Sequence, residues 1–499
     1  MSGIKETNPK AWIFAKLGDV LNIQGGSQPP KLEFIYEPQK GFVQLLQIRD
    51  FGLKPVPTYV PQSRVTKFCK KEDILIARYG ASLGRIVTGL EGAYNVALAK
   101  VIDTYELFSK KYLFYLLKTS VLQMPLKMIS RSAQNGFAKH EIAHIELPLP
   151  PLAEQHRIVA KIEELFSELD KGIENLKTAQ AQLKIYRQAL LKYAFEGKLT
   201  ADWREQNKDK LETAAALQQR IQTERTACYQ QKIKEWDASG KQGSKPKPPK
   251  TLPPLTSEEL AELPKLPESW IYTRFGLIID EPTYGTSKKC DYEIEGTGVL
   301  RIPNVVSGRI DASDLKVAQF TNDEIATYKL NTGDILIIRS NGSVSIVGRC
   351  AVVSENDTNY LYAGYLIRLR PNKLLLKSEY LLNTFSLHST RKQIELKAKS
   401  TSGVNNINTG EIQSLIISLC GIEEQKEIVE QLDARLSVVD QLDLIITTSL
   451  QQSEALRQSI LKKAFSGSLV AQDATDEPAS ILLARIKNQK QQLSKGRAN

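Results

Sequence analysis

Residues 132–201 and 402–471 align at a constant shift of 270 positions with no insertion. A chain that repeats so long a stretch folds as two related halves. The run RQALLKYAFEGKLTA (187–201) stands over RQSILKKAFSGSLVA (457–471), and Glu154-Gln155 stands over Glu424-Gln425. Glu141-Ile142 meets Glu411-Ile412, and Asn135 meets Asn405. Upstream the match needs gaps. AWIFAKLGDVLNIQGGSQPPK from Ala11 answers SWIYTRFGLIIDEPTYGTSKK from Ser269, and EDILIARYGASLGRI (72–86) answers GDILIIRSNGSVSIVGR (333–349). Each of the latter reads as an acidic turn, a β-branched apolar strand, an Arg and a Gly/Ser-rich loop. The predicted plan is α+β: two diverged α/β globules, each followed by a faithfully repeated helix.

Those helices carry a strong pattern. From Ala153 to about Phe195 there is no Pro and one Gly, Gly172. Ile162, Leu169, Leu176, Leu183 and Leu190 recur every seven residues, with Val159, Phe166 and Ile173 as the offset series; this is a coiled-coil seam. The second copy offers Val429, Leu432, Leu436, Val439, Ile446, Leu450 and Ile460, interrupted by Asp443 and Ser453. A helix of about 43 residues spans roughly 65 Å and cannot bury its apolar stripe alone. The expected partner is its own repeat, as an intramolecular antiparallel coiled coil with pseudo-twofold symmetry. Pairing with the helix of another chain is the open alternative.

With 499 residues the chain exceeds a single core, and the expected division is as follows. A globule over 1–152 leads into a central long helix over 153–200. Then come a charged helical insertion and Lys/Pro-rich linker over 201–262 and a second globule over 263–421. A distal long helix over 422–470 and a helical tail over 471–499 complete it. Within the insertion a helix is expected from about Lys208 to Trp236. SGKQGSKPKPPKTLPPL (239–255) reads as an extended linker. The tail ILLARIKNQKQQL (481–493) echoes ALQQRIQTERTA (216–227), so the repeat is expected to extend into this second helix. Five dispersed cysteines without a CxxC pair predict free thiols in a reducing cytoplasm. The N-terminus lacks a signal-peptide pattern and no apolar run reaches eighteen residues, so no membrane association is expected. The net charge of +11 favours a polyanionic partner without requiring one.

One string looks like chemistry. HEIAH (140–144) fits the H-E-x-x-H zinc-peptidase pattern. The repeat argues against it, because the second copy reads GEIQS (410–414) and keeps only Glu-Ile. The run also turns within a few residues into IELPLPP, and only His156 and His388 remain as a third ligand. No metal is expected. No phosphate-binding G-x-x-x-x-G-K-[ST] loop, amino-methyltransferase pair or G-x-S-x-G elbow is found; DEPTYG (280–285) departs from the methyltransferase pattern at Glu281 and at the residue after Pro282. A non-catalytic binding role is expected.

The candidate DNA-contacting residues fall at equivalent places in the two copies. The loops QGGSQPPK and YGTSKK supply Gln24, Gly25, Gly26, Ser27, Gln28 and Lys31, and Tyr284, Thr286, Ser287 and Lys288. Glycines let a backbone approach phosphates, while Ser, Thr and Gln side chains reach base edges. After the apolar strands come Arg78, Tyr79 and Ser82 in one copy and Arg339, Ser340 and Asn341 in the other; Arg and Asn suit bidentate contacts to guanine and adenine. Plain turns between strands, surface ion pairs and turn caps are the competing readings. For helix pairing the candidates are Ile162, Leu169, Leu176, Leu183, Leu190, Val429, Leu436, Val439, Ile446 and Ile460.

On LPLPPLAEQHRIVAKIEELF (147–166), RQALLKYAFEGKL and ELPKLPESWIYTRFG (262–276), nearly the whole chain resembles the DNA-specificity subunit of type I restriction-modification systems. The resemblance implies two target-recognition domains, each reading one half of a bipartite, asymmetric duplex DNA site. It implies that the paired helices fix the spacer and dock two modification (methyltransferase) subunits, with two restriction (translocase-nuclease) subunits completing the complex. S-adenosylmethionine, ATP and Mg²⁺ would be used on those other subunits, none by this chain. The alternative class is a coiled-coil scaffold with two ligand-binding domains and no DNA role.

Overall fold

The computed structural model describes residues 11–132, 136–241, 244–293, 295–306, 308–398, 403–481 and 483–485. Asn135, Ser402 and the echo beyond Arg485 therefore lie outside the described residues. Two compact units emerge, one built from Met1–Thr178 and Ile446–Asn499, the other from Ala179–Ile445. The first joins the two ends of the chain and the second is one continuous run; both boundaries fall inside the long helices, whereas the sequence reading divided the chain at the helix ends. The central helix (Leu152–Phe195) and the distal helix (Ile422–Phe465) each contribute to both units.

In the first unit, Ile13–Lys16 pairs antiparallel with Glu146–Leu149, the strand that exits into the central helix. A four-stranded sheet follows in the order Leu21–Gly25, Leu98–Asp103, Ile74–Ala77, Ile86–Val87. Its Ile74–Ala77 strand is buried at every position, which is why that stretch is an unbroken apolar run. A second sheet orders Tyr59–Pro61, Phe42–Leu46, Gly92–Tyr94 and Phe68–Cys69. Helices Lys110–Leu117 and Ser120–Ser132 complete the globule.

The second unit repeats the arrangement internally. Ile271–Arg274 pairs with Ile416–Leu419. The sheet order is Thr283–Tyr284, Leu366–Leu369, Ile335–Ile338, Cys350–Val352, with Ile335–Ile338 wholly buried. Trp12 and Trp270, which open the two copies, are buried and hold the start of a long helix. Their indole N–H groups donate to Glu154 at 2.9 Å and to Glu424 at 2.8 Å. Gln155 and Gln425 tie the same turns to the backbones of Leu107 and Leu375 at 2.9 and 2.8 Å. The Glu-Gln pair thus nails each helix start onto its globule.

The long helices run antiparallel in both units. Arg187 pairs with Asp440 in the second unit and Arg457 with Asp170 in the first. Every seam candidate is buried or half-buried, and Asp443, the polar break, accepts from Gln180 at 3.1 Å. The helices thus pair antiparallel within one chain, the arrangement the fold reading expected. Each helix ends at a glycine, Gly197 at φ +73° and Gly467 at φ +75°, a left-handed turn that Gly adopts without strain. The helix ends also exchange. Phe195 of the first copy stacks on Tyr380 of the second globule at 4.7 Å, and Phe465 of the second copy stacks on Tyr112 of the first at 5.1 Å.

Two expectations need correction. The helix expected from Lys208 to Trp236 is broken; Ala201–Gln206 is followed by a turn at Lys208–Lys210, and a new helix runs Ala214–Ala238. Thr213 starts it by accepting from the Ala216 N–H at 3.2 Å, a cap that competes with helical continuity. The Lys/Pro-rich stretch has no regular secondary structure but is not a free linker. Arg225 donates to the Lys250 carbonyl at 2.7 Å and Arg274 to the Pro253 carbonyl at 2.8 Å. The tail echo has a structural counterpart: Arg220–Glu212 and Arg485–Glu477 are equivalent ion pairs, both at 2.6 Å. In the HEIAH stretch, Lys139–Ile142 is a single turn, and Glu141 accepts from the Ala138 N–H at 2.5 Å. Glu411 does the same for Asn408 at 2.8 Å. The shared Glu-Ile is a helix cap.

Candidate nucleic-acid interface

In each unit the first sheet strand leads into a loop that presses against the return strand. Gly26 N–H donates to Leu98 at 3.0 Å and Ser27 N–H to Tyr94 at 3.0 Å. Gly285 N–H donates to Leu366 at 3.2 Å and Thr286 N–H to Tyr362 at 2.9 Å. A Cβ on Gly26 would lie 2.1 Å from the Asn95 carbonyl oxygen, and one on Gly285 would lie 2.3 Å from that of Tyr362. Both positions therefore require Gly for close backbone approach, whatever else the loops do.

Beside these loops the structure places the post-strand arginines. Arg78 lies over Gly25, where a Cβ would come within 2.8 Å of its guanidinium, and its Cζ is 5.1 Å from the Tyr79 ring centroid. It donates to the Phe137 carbonyl at 3.4 Å. Arg339 has its Cζ 4.6 Å from the centroid of Tyr284, a ring supplied by the end of the Thr283–Tyr284 strand, and donates to Asn406 Oδ1 at 3.1 Å. Neither guanidinium meets a carboxylate among the described residues. Stacking on an aromatic face orients a planar cation while leaving its edge for hydrogen bonding.

The remaining candidates divide. Gln24 accepts from the Tyr94 hydroxyl at 2.9 Å, and Tyr284 Oη accepts from the Thr409 N–H at 3.1 Å. Ser27 is half-buried, whereas Gln28 and Lys31 stand exposed past the loop. Ser82 closes the Gly80–Ser82 turn. Ser340 and Asn341 pair with Asn406 and Asn405 as short strands, and Asn341 Oδ1 caps the Ser343 N–H at 2.9 Å. Thr286 is buried and caps Lys288 N–H at 3.1 Å; Ser287 is exposed. Lys288 is bound to Glu324 at 2.6 Å, so the ion-pair reading fits it better than a phosphate contact. That bond lowers the Glu324 carboxyl.

Sequence reasoning passed over the tyrosines beneath the loops. Tyr94 and Tyr362 are fully buried, and burial pushes both phenols up to about 12. They stay neutral donors, Tyr94 to Gln24 and Tyr362 to the Thr283 carbonyl at 3.3 Å. Also missed was Asn95, whose buried Oδ1 has no hydrogen-bond partner among the described residues. The recurrence of YNVALA (94–99) as YAGYLI (362–367) was the available signal.

Comparison with known proteins follows the same duplication. A family model described as the type I restriction modification DNA specificity domain matches residues 9–178 and again 284–451. The type I restriction enzyme EcoKI specificity subunit of Escherichia coli K12 is 26% identical, aligning 96% of this chain with 95% of its own. The StySPI specificity subunit of Salmonella potsdam is 23% identical over 96% and 95%. Among solved structures, a chain from work on complex assembly and conformational transition of the type I R-M system superposes with a TM-score of 0.64 at 18% identity, covering 93% of this chain and all of the other. The HsdS subunit of Thermoanaerobacter tengcongensis gives 0.50 at 19%, covering 94% of this chain and all of the other.

Proposed function

The chain belongs to the type I restriction modification DNA specificity family, and from that premise we propose that its two globules read the two halves of one bipartite, asymmetric duplex site. The observation that carries this reading is the repeated construction in both units: a Gly-tightened loop and a tyrosine-stacked arginine that meets no carboxylate among the described residues. The framework is the same in both, and the side chains displayed on it differ. Arg78 with Gln24 in the first unit and Arg339 with Tyr284 in the second would meet different base edges in the major groove. Most of the affinity would come from phosphates and fall steeply with salt. The bland alternative, a scaffold with two unspecified ligand-binding domains, has no comparable support.

The paired helices set the distance between half-sites and carry two modification subunits; two restriction subunits complete the assembly in the cytoplasm. Adenine methylation with S-adenosylmethionine and ATP- and Mg²⁺-dependent cleavage belong to those subunits, and this chain contributes recognition alone. Among the described residues no helix is long and apolar enough to cross a membrane. The test is binding of the chain with its modification subunits to duplex DNA across a salt series, alongside methylation mapping of the host genome. A bipartite methylated motif, bound with a steep salt dependence, is expected. Affinity that is flat across both salt and sequence would overturn the proposal.

A further inference from the structure

The insertion between the two copies is the part of the chain that the reading above leaves without a task. Its Lys-Pro-Lys-Pro-Pro-Lys run, 245–250, is held by its backbone. The Lys250 carbonyl accepts from Arg225, a half-buried guanidinium on the Ala214–Ala238 helix, and the Pro253 and Pro254 carbonyls accept from Arg274 at 2.8 and 3.5 Å. Leu252 fills the space over Gly276, where a Cβ would lie 2.8 Å from its Cδ1. Prolines fix φ and leave carbonyls unpaired, which is what these arginines exploit. The side chains are treated in the opposite way. Lys245, Lys247 and Lys250 are exposed, and none meets a carboxylate among the described residues. The segment therefore combines an anchored backbone with unneutralised ammonium groups. A linker needs neither.

A cleft of about 720 Å³ lies between this segment and the Ala214–Ala238 helix, and Asp280 and Glu281 form part of its wall. Asp280 is paired with Lys232 at 3.2 Å, so Arg225, Lys247 and Lys250 against Glu281 leave the cleft wall net positive. Two residues further on begins Thr283–Tyr284, the strand whose Tyr284 carries Arg339. We propose that Lys245, Lys247 and Lys250 form a phosphate-binding strap that grips the DNA backbone beside the half-site read by the second globule. The inference rests on the DNA-reading function proposed above. A proline-type backbone advances about 3.1 Å per residue, so the three lysines span roughly 15 Å, against one phosphate per about 3.4 Å of each strand. The strap thus faces four or five phosphates of one strand. An acidic protein partner fits less well, because the run offers no large apolar anchor of the kind that carries protein interfaces, whereas phosphate contacts need only placed charges.

The experiment uses the full chain in complex with its modification subunits and a duplex bearing the mapped target. The variant K245Q/K247Q/K250Q is expected to flatten the slope of log affinity against log salt by about 2 to 3, near 0.9 per lost contact, with the methylated sequence unchanged. K245R/K247R/K250R, which keeps the charge, is expected to restore the slope and serves as the folding control. A Gln variant whose slope matches the parent overturns the strap. So does a loss confined to assembly with the modification subunits in the absence of DNA, which would assign the lysines to a protein contact. Failure of the unsubstituted complex to discriminate its target from a scrambled duplex is a separate outcome, and overturns the reading of the site itself.

Discussion

Arg187 of the central helix and Asp440 of the distal helix form an ion pair, and the residues 270 positions away from each, Arg457 and Asp170, form the same pair. Two copies of one helix can repeat a contact in this way only when they run antiparallel with a shared register. Both pairs are substantially exposed, so each is worth at most about 1 kcal/mol. Reversing one charge, Asp440→Arg, is expected to destabilise by about that amount in chemical denaturation. Adding Arg187→Asp recovers most of the loss, and a double-mutant cycle with no coupling would contradict the register.

The two buried glutamates at the helix starts predict opposite responses. Glu424 accepts from Trp270, Thr200 at 2.6 Å and Arg204 at 2.5 Å, and removing its charge strands a largely buried guanidinium. Glu424→Gln is expected to cost about 3 kcal/mol. Glu154 keeps its tryptophan, but its other, buried oxygen has no hydrogen-bond partner within normal distance among the described residues, and burial raises its carboxyl above the ordinary 4.5. The native protein then holds a proton that the unfolded chain has released, so stability falls as pH rises from 4.5 through the raised value. Glu154→Gln removes that dependence. Its stability at neutral pH is expected to equal or exceed the parent's, with a flatter profile on the acid side in thermal unfolding.

Phe195 lies in the first copy's sequence and in the second globule's core. Phe195→Ala is expected to cost about 3 to 4 kcal/mol. Hydrogen exchange would show the loosening within 263–421, while 11–132 keeps its protection. Loosening confined to 11–132 would contradict the exchange of helix ends.

Arg78→Ala and Arg339→Ala separate the half-sites. Each is expected to relax one base position by about 1 to 3 kcal/mol of discrimination in its own half, leaving the other half unchanged in methylation mapping. Equal loss at all sequences would reassign the residue to a phosphate contact.

The sequence was most informative where one physical constraint dominates. The central helix was expected to begin at Ala153 and end near Phe195, and runs Leu152–Phe195, because a heptad seam without Pro permits little else. Arg78 and Arg339 were legible as equivalent positions after a buried strand. Their stacking partners were not, since Tyr79 is a sequence neighbour whereas Tyr284 arrives from a strand 55 positions earlier. The commitment of Lys288 to Glu324 was hidden for the same reason; it joins residues 36 positions apart. The Lys/Pro run looked free because its anchors, Arg225 and Arg274, lie on either side of it and bind carbonyls that no side-chain pattern reveals.

The most direct test of the central claim, that the helix pair measures the DNA between two readers, is to change its length. Inserting one heptad into both helices, within 174–182 and the equivalent 444–452, preserves the seam and adds about 10 Å. Methylation mapping of the variant complex is then expected to return the same two half-sites with a spacer altered by up to about three base pairs, at about 3.4 Å each. An unchanged spacer would contradict the account.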